Sequence, residues 1–205
     1  MSVTDEAQLE AKYQRLPAKV RQQVEAQLAH SATTLKIVVG QTFADREVLN
    51  AHAVDSAGRT GLKSGQVSEL TVLATLKPNG AKRLRKLFDI LNGNFAGASL
   101  VGTVHDMRFV LLDNDTRLLF CAAYDGEWDP YIDDFATKIP DLMDYIFGNV
   151  EGWPGIHSPE VKDFIAGIQV GASGWFVANP QLTVAEQERL LEQDKSVTAF
   201  VQKLN

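Results

Sequence analysis

Residues 99 to 124 carry two β-rich runs, SLVGTVHDMRFVLL and RLLFCAAY, separated by the turn chemistry of Asn114-Asp115. The first run is too β-rich and too short of helix formers to be a helix, and the second returns immediately after the turn, so the pair predicts a β-hairpin. Its alternation is unusual. In the first strand Leu100, Val104 and Val110 share one side while Val101, His105, Met107, Phe109 and Leu111 share the other, with Asp106 and Arg108 opposite His105. The second strand repeats this, with Leu119, Cys121 and Ala123 on one side and Leu118, Phe120, Ala122 and Tyr124 on the other. A sheet wetted on one face shows clean polar alternation, and this hairpin does not. Both of its faces therefore expect cover, the second from the N-terminal segment of the same chain or from the equivalent sheet of another copy. A sheet-to-sheet homodimer is the preferred expectation.

The flanking periodicities extend the hairpin into a fold. Leu70, Val72, Ala74 and Leu76 alternate as a strand, and Pro78-Asn79-Gly80 breaks it. Ala81, Leu84, Leu87, Phe88 and Leu91 then recur at helical spacing up to Asn92-Gly93. Behind the hairpin, Asp129-Pro130 opens a second helix that breaks before Pro140 and resumes through Leu142 and Phe147. Ser158-Pro159 caps a short helix, ASGWFVA (172 to 178) predicts a last strand, and Thr183 with Glu186 forms a capping box for a C-terminal helix. The order from residue 67 to 205 predicts an α+β, ferredoxin-like βαββαβ antiparallel sheet with its helices on one face. Residues 1 to 66 predict an N-terminal helical arm interrupted at Pro17, an extra strand at Leu35-Lys36-Ile37-Val38-Val39, and a glycine-rich flexible loop from 56 to 66.

Composition narrows the function classes. A net charge of −6 and a pI near 5.2 argue against nucleic acid as a partner, since phosphate binding draws on clustered Lys and Arg. The basic run Lys82, Arg83, Arg85 and Lys86 fits a solvated helix face. No apolar stretch is long enough to span a membrane, and the polar, acidic start does not resemble an export signal. With one cysteine, Cys121, the expectation is a cytoplasmic protein without an internal disulfide. Nucleotide, serine-hydrolase and zinc-peptidase motifs are missing, and the acids Asp125, Asp129, Asp133 and Asp134 fit a helix N-terminus better than a metal site. His105 suits a proton shuttle or ligand, or a buried histidine held by one hydrogen bond. Arg108 suits an ion pair with Asp106 or an anion contact.

The segments VGTVHDMRFVLLD, LLFCAAYDGEWDPYIDDF, WPG and the approach to NPQLTVAE resemble the dimeric α+β barrel superfamily, nearest to uncharacterised bacterial proteins related to dye-decolorising peroxidases. The resemblance covers roughly residues 68 to 205. It implies a homodimer with a small-molecule or haem pocket and a peroxidase-like oxidoreductase, or else a non-catalytic binding or assembly module on the same fold. The distal G-x-x-D-G signature of those peroxidases falls on Ala122 to Gly126, with alanine at the first glycine position, so Asp125 would be the distal acid. The late proximal histidine would be His157. His105, Arg108 and Asp125 are thus the expected catalytic residues, His157 the expected haem contact, and no metal site is expected.

Overall fold

The computed structural model describes residues 3 to 30, 32 to 43 and 55 to 204. The chain forms two compact units, residues 1 to 53 and 54 to 205.

The described residues of the first unit form three helices, α1 (Val3–Gln14), α2 (Ala18–Leu28) and α3 (Thr33–Phe43). Pro17 stands just ahead of α2, where its missing N–H costs no helical bond. Tyr13, Leu16, Val20, Val24 and Ile37 make its small core. The extra strand expected at 35 to 39 is instead the middle of α3. Burial of Ile37 against the other two helices outweighs the weak β preference of a short branched run.

The second unit is built on a five-stranded antiparallel sheet of β1 (Asp55–Ser56), β2 (Leu62–Ser64), β3 (Val67–Thr75), β4 (Val104–Leu112) and β5 (Arg117–Asp125), in the order β1-β2-β3-β5-β4. The stretch 56 to 66, expected as a loose loop, is folded onto this sheet, because β2 pairs with β3 through Lys63 opposite Ser68 and Ser64 opposite Val67. Asp113, Asn114 and Asp115 turn the hairpin in left-handed conformations, which short polar side chains tolerate best. The first hairpin run starts later than its composition suggests. Residues 96 to 101 form a 3-10 helix, and β4 begins only at Val104, after Gly102 at φ 78°.

Helices α4 (Gly80–Ile90), α5 (Trp128–Lys138), α6 (Pro140–Phe147) and α7 (Val161–Ile168) contribute to the core formed with the sheet. From the sheet, Leu70, Val72, Ala74, Leu118, Phe120 and Tyr124 enter that core; from the helices come Leu84, Trp128, Tyr131, Ile132, Phe135 and Ile146. Burial of each large apolar side chain is worth about 1.5–3 kcal/mol. Phe109 stacks on Phe120 with ring centroids 4.7 Å apart, carrying the packing across the hairpin.

The expected last strand at 172 to 178 does not form. Only Gln169 bridges β3, opposite Val72, and the Val170 N–H donates to the Thr71 carbonyl at 2.9 Å. The next amide, Ala172 N–H, turns to the Glu69 carboxylate at 3.2 Å, so the chain leaves the sheet edge. Residues 172 to 179 then run beside the face of the sheet away from the helices. Their far end is fixed where the Gln66 N–H donates to the Pro180 carbonyl at 2.6 Å. Part of the cover that the hairpin's second face demands is therefore this strap from the same chain. The C-terminal helix α8 (Val184–Leu204) follows it. No helix among the described residues is long and apolar enough to cross a membrane.

Candidate functional site

The site begins at an irregularity in β4. Val104 pairs with Tyr124 and Asp106 with Ala123, so β4 spends two steps where β5 spends one, and His105 is the extra residue of a bulge. Strict alternation would send His105 to the helix side. The bulge instead turns it to the open face, the same face as Asp106 and Arg108, which corrects the expectation that they lie on opposite sides.

There His105 meets Asp125, the last residue of β5. His105 Nε2 and Asp125 Oδ1 are 2.6 Å apart, and both side chains are largely buried. The other carboxylate oxygen, Oδ2, accepts the Val184 N–H at 2.8 Å, at the first turn of α8. A carboxylate at a helix N-terminus satisfies an otherwise orphaned amide and is favoured by the helix dipole. On the far side of the imidazole, the Gln187 amide lies 3.3 Å from Nδ1 and also donates to the Leu182 carbonyl at 3.3 Å. An acceptor on one side and an amide donor on the other define the ring: Nε2 carries the proton and donates to Asp125, while Nδ1 accepts from Gln187.

The start of α8 is itself pinned. Thr183 N–H and hydroxyl both donate to Glu186 Oε2 at 2.9 Å, and Glu186 N–H returns to Thr183 Oγ1 at 3.2 Å, the reciprocal box expected from the sequence. The Thr183 amide, together with its hydroxyl, holds the Glu186 carboxyl below the usual carboxylate range. Gln187 follows one residue later, so the same turn presents it to His105.

These groups line a cavity of about 560 Å³ between the sheet's open face and the strap. Thr71, Cys121 and Ala123 lie on its floor, Trp175 and Phe176 come from the strap, and His105 and Gln187 lie along its wall. Arg108 also lines it, paired with Asp106 and well exposed. Glu69 is 3% exposed, and its carboxylate is fully used: Oε1 accepts the Leu62 and Ala172 amides, each at 3.2 Å, and Oε2 accepts the Thr71 hydroxyl at 2.8 Å. A buried carboxylate is tolerated because those donors replace water, and it ties β2, β3 and the strap together.

His105, Asp125 and Arg108 are thus brought to one cavity. His157 is not. It is exposed ahead of α7, beside a separate hollow lined by Ile132, Ala136, Ile156 and Lys162. Glu69, Trp175 and Gln187 were not expected at the site. The capping box located the turn that carries Gln187, but nothing in the sequence tied that turn to β4. Among the described residues no cluster of His, Cys, Asp or Glu could hold a metal ion. His157, the histidine expected at haem, lies outside the cavity, and His105 Nε2 is taken by Asp125. No protein-family model matches this chain, and no curated protein or solved structure shows significant similarity to it.

Proposed function

We propose that this chain binds a small molecule in the cavity beneath the strap, with His105 as the proton-accepting contact and Asp125 as the group that orients it. The observation that carries this reading is the hydrogen-bonded series Asp125–His105–Gln187 along the cavity wall. A carboxylate fixing one ring nitrogen leaves the other as the basic atom, the arrangement by which histidine takes a proton from a bound hydroxyl or N–H. The Gln187 amide, at 3.3 Å, is the weaker partner and the one a ligand donor would displace. A volume of about 560 Å³ suits a drug-sized organic molecule. The ligand would pack its apolar body between Trp175 and the Cys121–Ala123 floor and meet Arg108 or Asp106 at the mouth.

The fold belongs to the same proposal. We read the second unit as a ferredoxin-like βαββαβ domain whose fourth strand is reduced to the bridge at Gln169, with the open face given over to the cavity. The likeness to dimeric α+β barrel proteins is consistent with a ligand on that face, while the place of His157 outside the cavity favours a ligand other than haem.

Ligand-observed NMR with a fragment library tests the reading. Fragments carrying a phenol, amide or azole group should bind the wild-type protein, lose at least about tenfold in affinity with His105→Ala, and fail to bind once Cys121 on the floor is alkylated. Hits that survive both changes, or a screen with none, would remove the cavity from consideration.

A further inference from the structure

Within the second unit, the described residues of the C-terminal helix are held at its first turn. Its first turn holds Asp125 and His105, yet every residue from 188 to 202 is exposed. Among them are Leu190 (43%), Leu191 (62%), Val197 (61%), Phe200 (63%) and Val201 (49%). At 100° per residue, Leu190, Val197 and Val201 fall within about 40° of one another, with Leu191 and Phe200 flanking them on either side. Asp194 falls on the same arc, about 40° from Leu190, so these residues form a short apolar seam broken by one acid, of the kind a partner helix covers. The exposed portion also has little to sustain it alone. Helices of about 15 residues are marginal in water without tertiary packing, and Val197, Thr198 and Val201 are branched at Cβ.

The charge distribution identifies the occupant. From Val184 to Asp194 the sequence has Glu186, Glu188, Glu192 and Asp194 against Arg189 alone, four acids less one base, a net charge of −3. From Lys195 to Leu204 it has Lys195 and Lys203 and no acid, a net charge of +2. A second α8 running the opposite way sets each acidic half beside a basic half. A parallel partner would set acid against acid. We propose that α8 is a self-association helix, pairing antiparallel with α8 of a second copy of this chain through the Leu190, Val197 and Val201 seam. The proposal is independent of the cavity reading. It leaves the open face of the sheet free, while bracing the helix whose first turn carries Val184 and Gln187.

Sedimentation of the full chain over a wide range of concentration reads the proposal directly. The seam is short, below the standard size of a stable interface, so a concentration-dependent monomer–dimer equilibrium is expected. Leu190→Glu with Val197→Glu should weaken the dimer at least about tenfold while the cooperative thermal unfolding of the second unit persists, and Val110→Asp on the open sheet face should leave the dimer unchanged. Charge supplies a second measurement. A variant with Glu188→Lys and Glu192→Lys, and another with Lys195→Glu and Lys203→Glu, should each be monomeric alone and form a mixed dimer when combined, with rising salt weakening that pairing. A monomer at every concentration overturns the proposal, whether or not the seam then takes the chain to phosphatidylcholine vesicles. So does a dimer lost with Val110→Asp and kept with the seam variants.

Discussion

His105 and Asp125 meet because β4 carries one residue more than β5 can match: the bulge moves the imidazole across the sheet and sets Nε2 2.6 Å from Asp125 Oδ1. Asp125 is also the acceptor for the Val184 amide of α8. Asp125→Ala therefore strands two donors in a largely buried place and is expected to cost about 1–3 kcal/mol. His105→Ala removes a donor but leaves the carboxylate on its helix amide, and should cost less. Urea denaturation of both variants measures the difference, and an Asp125→Ala midpoint at or above that of His105→Ala would show that the pair does not hold α8 to the sheet.

The capping box gives α8 a dependence on acid. The Glu186 carboxyl is held below its ordinary range chiefly by the Thr183 amide. A lowered folded-state pKa means that the box contributes fully above the unfolded carboxylate pKa and is lost as pH falls through the folded one. The amides of residues 184 to 187 should therefore exchange faster below the ordinary glutamate pKa of ~4.3 than at neutrality, after correction for intrinsic exchange. Glu186→Gln keeps an acceptor without a titrating proton, so its protection should stay flat across the same window. Equal acid sensitivity in the two proteins would assign the effect to another group.

Much of the second unit was legible because its elements carry strong local signals. Alternation marked β3 and β5, the spacing from Ala81 to Leu91 marked α4, and Pro140 marked the break between α5 and α6. Local signals mislead where a longer-range interaction competes with them. Ala172 to Ala178 reads as a strand by composition, but the buried Glu69 carboxylate takes the Ala172 amide and redirects the chain into the strap. Leu35 to Val39 reads as a strand by branching, but the packing of Ile37 makes it helix. A bulge leaves no mark in an alternating pattern, so alternation alone puts His105 on the wrong side of the sheet. The Gln187 contact spans 82 positions and no periodicity encodes it.

Gly61 brings the 57–61 turn against β3. It has φ +97°, and a Cβ there would overlap the Glu69 carbonyl and lie 2.9 Å from Gln169 Nε2. Neither obstacle yields easily, because the carbonyl is backbone and the Gln169 side chain accepts the buried Trp128 indole N–H at 2.7 Å. Gly61→Ala therefore combines a left-handed backbone with a steric clash and should destabilise the second unit by about 1–3 kcal/mol. Thermal denaturation followed by Trp fluorescence checks this. Gly93→Ala makes the comparison, since a Cβ at that φ of +66° meets nothing within 4 Å and only the backbone penalty remains.

Tyr124 and Tyr131 stack with centroids 3.7 Å apart and planes within 4°. Both residues are buried, and the Tyr131 hydroxyl finds no hydrogen-bond partner among the described residues. Losing a well-bonded tyrosine hydroxyl ordinarily costs about 0.5–1.5 kcal/mol, whereas an unpartnered buried hydroxyl carries a desolvation penalty with nothing to offset it. Tyr131→Phe should accordingly be neutral or stabilising, by up to about 1–2 kcal/mol at neutral pH. The same burial fixes the alkaline behaviour, since desolvation, the largest influence, raises the Tyr131 phenol well above its ordinary value. The unfolded chain gives up that proton near pH ~10 while the folded chain retains it, so stability is level below about pH 10 and falls as pH rises beyond it. Tyr131→Phe removes that contribution, and its stability should decline less steeply above about pH 10 than the wild type's. Phenolate absorbance near 295 nm, recorded beside circular dichroism, separates the cases: a Tyr131 signal that titrates before the helices unfold would mean that the ring reaches solvent and that its hydroxyl carries no desolvation penalty.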